Sequence, residues 1–253
     1  TIKRTKTPKN REGKIEFRNV SFEYVKGEKV LDNISFTIHP NQSVAFVGTT
    51  GAGKSTLINL LLRFYEPTKG KILVDEIDIH SMNLKELRSY FGLVLQDVFI
   101  FSGDIEYNIL LNRNISTDRM IEYAKYVNAH PFIIRLKDKY HHRISEGGSN
   151  LSVGQKQLLA FSRALIKEPN ILVLDEATSS IDSETEYLIQ DAIRKIMKER
   201  TCIAIAHRLS TIQNADKIYV LQKGRIVDAG NHTELLALEG YYYQLYQFQD
   251  LTI

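Results

Sequence analysis

The 253-residue sequence has one cysteine, no tryptophan, five prolines and three methionines. The single cysteine, Cys202, cannot form an internal disulfide or supply a multi-cysteine zinc site alone, and it is compatible with a reducing compartment. No apolar run reaches the length of a membrane span, because the longest runs, at 171–174 and 203–206, are only strand-sized. Lys and Arg number 33 against 30 Asp and Glu, a balance that excludes a histone-type binder of nucleic acid.

What is present is an ordinary globular composition, with 43% hydrophobic and 25% charged residues. A chain of this length can bury a substantial core. The segment 1–13 differs from the rest because it is basic and shows no apolar periodicity. We interpret it as a linker cut from a longer chain, with a basic tail that touches membrane lipid as the alternative. The segment 14–253 is then expected to form the folded domain.

Strand-like and helix-like patterns alternate along the folded part. Strands are predicted at 15–24, 34–38, 43–47, 72–74, 171–174, 201–206 and 217–221. Helices are predicted at 54–64, at 184–198 and near the C-terminus, and helical spacing recurs within 97–163. This alternation predicts an α/β fold with a buried parallel sheet.

A glycine-rich loop joins the predicted strand 43–47 to the next helix. It matches the pattern G-x-x-x-x-G-K-[ST] through Gly48-Thr49-Thr50-Gly51-Ala52-Gly53-Lys54-Ser55-Thr56. Glycines let the backbone curl so that its N–H groups point at phosphate oxygens, and the helix start adds its dipole. Lys54 is expected to reach the β- and γ-phosphates, and Ser55 to offer a hydroxyl to Mg²⁺. The motif predicts a P-loop nucleotide-binding protein, and no N-K-x-D guanine reader accompanies it.

Two acidic residues, Asp175 and Glu176, end the apolar run 171–174. A buried strand would deliver them to the carboxyl edge of the sheet, beside the P-loop. There Asp175 can hold the water shell of Mg²⁺, and Glu176 can polarise an attacking water. The pair therefore favours nucleotide hydrolysis over a plain polar strand end.

Between these motifs lies Leu151-Ser152-Val153-Gly154-Gln155, which resembles the LSGGQ signature of ATP-binding-cassette (ABC) proteins. The resemblance covers about 14–245. It implies a P-loop NTPase (RecA-like) parallel sheet core, an antiparallel β subdomain and an α-helical signature subdomain at roughly 97–163. It also implies ATP and Mg²⁺ as ligands, and a head-to-tail dimer in which the signature faces the partner's nucleotide. Val153 departs from the pattern, because most members have glycine there.

The same resemblance implies roles for single residues. Tyr24 would stack on adenine with Val30 as an apolar neighbour, and Gln96 would bind Mg²⁺ or its water and contact a transmembrane domain. Ser179-Ser180-Ile181-Asp182 would form the D-loop, and His207 would reach the γ-phosphate. The implied catalytic residues are Glu176, His207 and Lys54, and the implied metal ligands are Ser55, Gln96 and, through water, Asp175.

The stretch 95–109 resembles exporters within the family, as does Glu146 in the following X-loop. We therefore interpret the chain as the ATPase domain of an ABC exporter on the cytoplasmic face of an inner or plasma membrane. Its expected partners are a transmembrane domain joined through 1–13 and a second nucleotide-binding domain, identical or different, with no nucleic acid. The alternatives are a soluble ABC ATPase of DNA repair or translation, a binding-only regulatory cassette and an importer motor.

Overall fold

The computed structural model describes residues 8, 10–176, 181–206 and 212–250. These residues group into two compact units. The larger unit is drawn from 1–91, 170–174 and 197–253, and the smaller unit from 92–169 and 175–196.

Strands and helices alternate through both units. The strands are β1 (Ile15–Glu23), β2 (Lys29–Ile38), β3 (Ser43–Val47), β4 (Lys69–Val74), β5 (Ile77–Asp78), β6 (Phe91–Val94), β7 (Gly103–Asp104), β8 (Arg143–Ile144), β9 (Ile171–Glu176), β10 (Thr201–Ala206), β11 (Lys217–Gln222) and β12 (Arg225–Gly230). The helices are α1 (Lys54–Leu61), α2 (Leu84–Ser89), α3 (Ile105–Leu110), α4 (Thr117–Tyr126), α5 (His130–Ile133), α6 (Val153–Leu165), α7 (Ser183–Glu199), α8 (His232–Ala237) and α9 (Tyr241–Asp250). None of the helices in the described part of the chain is long and apolar enough to cross a lipid bilayer.

One sheet of the larger unit is antiparallel, with strand order β2-β1-β4-β5. β1 is its centre, since Ile15 pairs with Ile38 on β2 and with Val74 on β4. All three of these side chains are buried. The alternation of apolar residues on β1 and β2 thus directs one face of the sheet into the core, and the predicted antiparallel β subdomain is confirmed.

The second sheet has the order β12-β11-β3-β10-β9-β6. β3 pairs in parallel with β10 on one side and with β11 on the other. Every residue of β3 is buried, which explains why its sequence is continuously apolar instead of alternating. The predicted parallel core is confirmed, and β12 adds an antiparallel edge strand that the sequence patterns did not indicate.

The smaller unit is mainly helical, with the two-stranded sheet β7-β8 beside its helices. Its central helix is α6, which buries Leu158, Leu159, Phe161 and Leu165. Most of α7 also belongs to this unit. The smaller unit therefore supplies the α-helical signature subdomain that the sequence predicted.

One local prediction needs correction. Helix α1 ends at Leu61, three residues before the predicted end, because Arg63 adopts a left-handed φ of 56°. Two half-buried histidines also contact buried tyrosines. His130 Nδ1 lies 2.9 Å from the hydroxyl of Tyr140, and His232 Nδ1 lies 2.8 Å from that of Tyr242.

Candidate functional site

The glycine-rich loop curls tightly between β3 and α1. Gly48, Gly51 and Gly53 have φ values of 149°, 80° and 106°, which residues other than glycine rarely adopt. The loop closes on itself through a hydrogen bond from Ala52 N to Thr49 O of 3.1 Å. Helix α1 begins directly after Gly53 and carries no acidic residue in its first turn. This end of α1 therefore suits an anion.

Lys54 places its positive charge inside the curl of this loop. Its Nζ donates hydrogen bonds to the carbonyl oxygens of Gly48, at 2.7 Å, and of Thr49, at 3.1 Å. The residue is only 6% exposed, whereas Ser55 beside it is exposed. The loop 48–53 together with Lys54, called the phosphate cradle, therefore combines an ammonium group with a helix N-terminus, an arrangement that suits an anion.

The signature segment forms the start of α6 in the smaller unit. Ser152 caps this helix, since its Oγ accepts a hydrogen bond from Gln155 N at 3.2 Å. Gln155 returns the contact, because its Oε1 accepts from Ser152 N at 3.1 Å. This reciprocal capping box satisfies two backbone donors at the helix N-terminus. It gives Ser152 and Gln155 a structural role within this chain.

The two middle residues of the signature stand in opposite environments. A Cβ at Gly154 would lie 2.1 Å from Thr185 Cγ2 and 3.2 Å from Ile181 Cγ2, so α6 packs closely on the start of α7. Val153 is 51% exposed. The side chain that departs from the usual pattern therefore projects from the surface of the smaller unit. Leu151 beside it is buried and anchors the turn.

The larger unit thus carries the phosphate cradle, and the smaller unit carries the capped signature turn. The family model for ABC transporters matches residues 31–179, more than half of the chain. The chain belongs to the ABC transporter family. It carries the ATP-binding domain of that family.

Individual relatives agree with this assignment. The chain is 51% identical over 238 residues to a probable multidrug resistance ABC transporter ATP-binding/permease protein of Bacillus subtilis, covering 94% of this chain and 35% of that protein. It is 49% identical over 241 residues to a putative ABC transporter ATP-binding protein of Streptococcus pneumoniae, covering 95% of this chain and 41% of that protein. The chain therefore spans less than half the length of these curated relatives.

A solved structure resembles the chain as well. It is a bacterial Atm1-family ABC exporter with ATP bound, 39% identical, with a TM-score of 0.89. The match covers 98% of this chain and 43% of that one. The ABC ATPase fold predicted from sequence is thus confirmed.

The remaining predicted residues of the ABC domain are divided between the units. In the larger unit, Tyr24 follows β1 and is 47% exposed, and Val30 is half-buried on β2. In the smaller unit, Gln96 is exposed and lines a groove of about 280 Å³ with Val153, Lys156 and Gln157, among others. The structure therefore brings the Q-loop and the signature turn to one groove of the smaller unit.

Asp182 of the D-loop caps α7. Its Oδ1 accepts a hydrogen bond of 2.9 Å from Thr185 N, and this backbone donor holds the pKa of Asp182 below its usual value. Asp175 lies on β9 and is half-buried. For Glu176 only the backbone, in β9, is described. Ser179, Ser180 and His207 lie outside the described residues. No group of three or more His, Cys, Asp or Glu in the described ranges could hold a metal ion by itself.

Sequence reasoning missed a hairpin, β11–β12, whose turn forms a hydrogen bond with the P-loop. The turn between β11 and β12 contains Gly224, whose N–H donates to Ala52 O at 3.2 Å and whose carbonyl accepts from Asp32 N at 2.9 Å. A Cβ at Gly224 would lie 2.3 Å from Val30 O. The turn of this hairpin therefore packs closely against both the P-loop and β2. A glycine after a lysine, directly following the apolar strand β11, was the available signal, and it indicates a two-residue turn.

A second missed element is a buried polar network beneath the signature helix. Arg163 on α6 donates to the carbonyl oxygens of Phe99 and Asn108, both at 2.7 Å, and to Asn108 Oδ1 at 3.1 Å. Asn108 is fully buried and also bonds both backbone groups of Phe101 at 2.9 Å. These contacts tie the segment after the Q-loop to α6.

Proposed function

We propose that this chain is the ATP-hydrolysing motor domain of an ABC exporter. The observation that carries the proposal is the pairing of an intact phosphate cradle, with Lys54 inside it, with a capped and exposed signature turn in the same chain. The family assignment and the similarity to an ATP-bound exporter support it. Such a domain binds ATP and uses its hydrolysis to drive a conformational cycle in the attached transporter.

The larger unit would bind the nucleotide. Backbone N–H groups of the loop 48–53 and the start of α1 would hold the phosphates, and Lys54 would turn from the loop carbonyls to the β- and γ-phosphates. Tyr24 would provide an aromatic surface for adenine, worth roughly 1–3 kcal/mol by analogy with base stacking. Val30 would line the same end of the site.

The family implies Mg²⁺, and the donor set fits this ion. Ser55, Gln96 and, through water, Asp175 would hold it, and all three offer the oxygen atoms that Mg²⁺ prefers. Ser55 is exposed in the first turn of α1, next to the phosphate cradle. When bound, the ion would neutralise charge on the β- and γ-phosphates. Glu176 would position the attacking water, and His207 would donate a hydrogen bond to the developing phosphate charge.

A second nucleotide-binding domain would complete each site. Ser152 and Val153 are exposed at the N-terminus of α6, where a helix favours a negatively charged ligand. We propose that this turn contacts the γ-phosphate bound by the partner domain in a head-to-tail arrangement. ATP would then hold the two domains together, and loss of the γ-phosphate would let them separate. The second domain would be an identical chain or a related one.

The other proposed partner is a transmembrane domain, which would place this chain on the cytoplasmic face of a membrane. The groove lined by Gln96, Val98, Phe99 and Val153 supports such a contact. Phe99 is 61% exposed there, and an exposed aromatic beside a groove is typical of a docking surface. Movement at this groove would follow movement of α6, because Arg163 ties the two together.

The first test is Glu176→Gln. This variant is expected to bind ATP like the wild type and to lose turnover by about 10²–10⁴-fold, because the amide cannot accept a proton from water. Nucleotide binding and phosphate release are measured on the same preparation. The variant should also accumulate an ATP-bound dimer in size-exclusion chromatography. Hydrolysis at the wild-type rate would remove Glu176 from the mechanism.

The second test mixes two inactive variants. Lys54→Ala disables the phosphate cradle, and Ser152→Phe blocks the exposed signature turn. In a head-to-tail dimer one of each chain rebuilds a single intact site, so the mixture should recover ATPase activity that neither variant has alone. Each variant alone, at the same total protein concentration, is the control. No recovery, with both variants folded, would argue against a shared site.

A further inference from the structure

Tyr24 belongs to a cluster of three aromatic side chains in the larger unit. Its ring lies 4.7 Å from that of Phe22 and 5.0 Å from that of Tyr65, with interplanar angles of 86° and 89°. The rings of Phe22 and Tyr65 are 5.8 Å apart. Right-angle contacts of this kind are favourable and directional, so they restrict how each ring can turn.

The cluster is partly a surface feature. Phe22 is buried at 5% exposure, whereas Tyr24 and Tyr65 are each 47% exposed. Two tyrosines that pack edge to face while remaining exposed contribute less to a core than buried rings would. The exposed side of the Tyr24 ring can therefore contact a ligand.

A hydrogen bond connects Tyr24 to the phosphate cradle. Its hydroxyl lies 3.2 Å from Thr56 Oγ1, in the first turn of α1. Thr56 is itself buried and follows directly after Lys54 and Ser55. The far end of the Tyr24 ring is thus tied to the helix that begins at the P-loop.

Tyr65, in the segment that follows α1, makes the second connection. Helix α1 ends at Leu61, and the left-handed Arg63 turns the chain so that Tyr65 reaches Tyr24. The start of α1 therefore holds the hydroxyl of Tyr24, and the segment after its end holds the ring. Both contacts therefore fix the orientation of Tyr24 relative to α1. The start of this helix would also hold the phosphates.

We propose that Tyr65 is a positioning residue for base recognition: it holds the ring of Tyr24 in the plane that stacks on adenine. This inference rests on the proposed function, in which Tyr24 contacts the base. Tyr65 acts through Tyr24 and not on the nucleotide itself. The consequence is selectivity for a ligand that carries a purine over one that offers the same phosphates without a base.

The test compares two ligands, ATP and inorganic tripolyphosphate, by isothermal titration calorimetry on the full chain. Tyr65→Ala should weaken ATP binding by about 2- to 10-fold, the range expected for one lost aromatic pair, and leave tripolyphosphate binding unchanged. Tyr65→Phe keeps the ring and should bind ATP like the wild type. Phe64→Ala is the matched control, since Phe64 is the neighbouring exposed aromatic and its ring lies under Arg88 at 4.7 Å.

A double-mutant cycle separates positioning from direct contact. Tyr24→Ala/Tyr65→Ala should bind ATP no more weakly than Tyr24→Ala, because Tyr65 has no other route to the base. Additive losses, or an unchanged ratio of ATP to tripolyphosphate affinity in Tyr65→Ala, would overturn the inference. If Tyr65→Ala does not fold, Tyr65→Leu provides the same comparison with the volume kept and the ring removed. A wild type that binds no ATP would instead overturn the proposed function.

Discussion

The P-loop and the signature turn both depend on glycine, but for different physical reasons. In the P-loop, Gly48 combines a φ of 149° with a close approach to backbone, since a Cβ there would lie 2.2 Å from Leu221 O. In the signature turn, Gly154 has an ordinary helical backbone, and its Cβ would meet the side chain of Thr185 instead. The P-loop therefore excludes side chains through backbone geometry, and the signature turn through side-chain packing.

This difference explains why Val153 is compatible with the fold. Val153 and Gly154 are neighbours, but Val153 projects outward at 51% exposure while Gly154 faces α7. The exposed position of residue 153 accommodates a β-branched side chain, whereas a methyl group at 154 would overlap Thr185 Cγ2. Any effect of Val153 is therefore expected at the surface presented to a partner, and not in the stability of the chain itself.

The largest effect is expected for Gly48→Ala. The new Cβ would contact the carbonyl of Leu221 on β11, and neither backbone can move without disturbing the parallel sheet. We expect a loss of roughly 2–4 kcal/mol in the free energy of unfolding, from strain and overpacking together, and no measurable ATP binding. Chemical denaturation monitored by circular dichroism measures the first, and calorimetry the second.

Gly51→Ala is the matched control for Gly48→Ala. Gly51 also has a positive φ, of 80°, but a Cβ there would have no neighbour within 4 Å. It should lose only about 1–2 kcal/mol, the cost of a left-handed alanine. Equal losses in the two variants would show that φ alone, and not the approach to β11, restricts the P-loop.

An intermediate effect is expected for Gly154→Ala. The methyl group would overlap Thr185 Cγ2 and cost about 1–3 kcal/mol, reduced in part by the higher helix propensity of alanine. Thr185→Ser removes that methyl group, and the Asp182 cap at the start of α7 accepts its hydrogen bond from the backbone N of this residue. The double variant should therefore regain most of the stability lost in Gly154→Ala. Without such recovery, the close packing of α6 on α7 would not be the reason for the glycine.

The smallest effect on stability is expected for Val153→Gly. Because the side chain is exposed at the first position of α6, the free energy of unfolding should change by no more than about 0.5 kcal/mol. ATPase activity of the assembled dimer should change modestly, and in a homodimer at both sites together. A heterodimer would show the change only at the site built on the partner's P-loop. A stability loss comparable to that of Gly154→Ala would contradict the difference in packing between Val153 and Gly154.

Much of the larger unit followed from local sequence patterns. The strands β3, β9, β10 and β11 were predicted close to their observed bounds, because continuous apolar runs bounded by polar residues leave few alternatives. The glycine-rich turn and the start of α1 were predicted for a similar reason, because the motif lies within nine consecutive residues. The strand β12 was missed, since Arg225–Gly230 lies at a sheet edge, has only two strongly apolar residues, which are adjacent, and shows no alternation of polar and apolar residues.

The sequence by itself determined the P-loop pattern and most of the alternation of strands and helices, because these depend on residues close together in the chain. Only the tertiary structure decided which distant segments support them. Gly224 lies more than 170 positions from Ala52, Asn108 lies 55 from Arg163, and Tyr65 lies 41 from Tyr24, yet each pair is in direct contact. Such contacts arise from packing between elements, and packing depends on side-chain shape and strand register that no local pattern records.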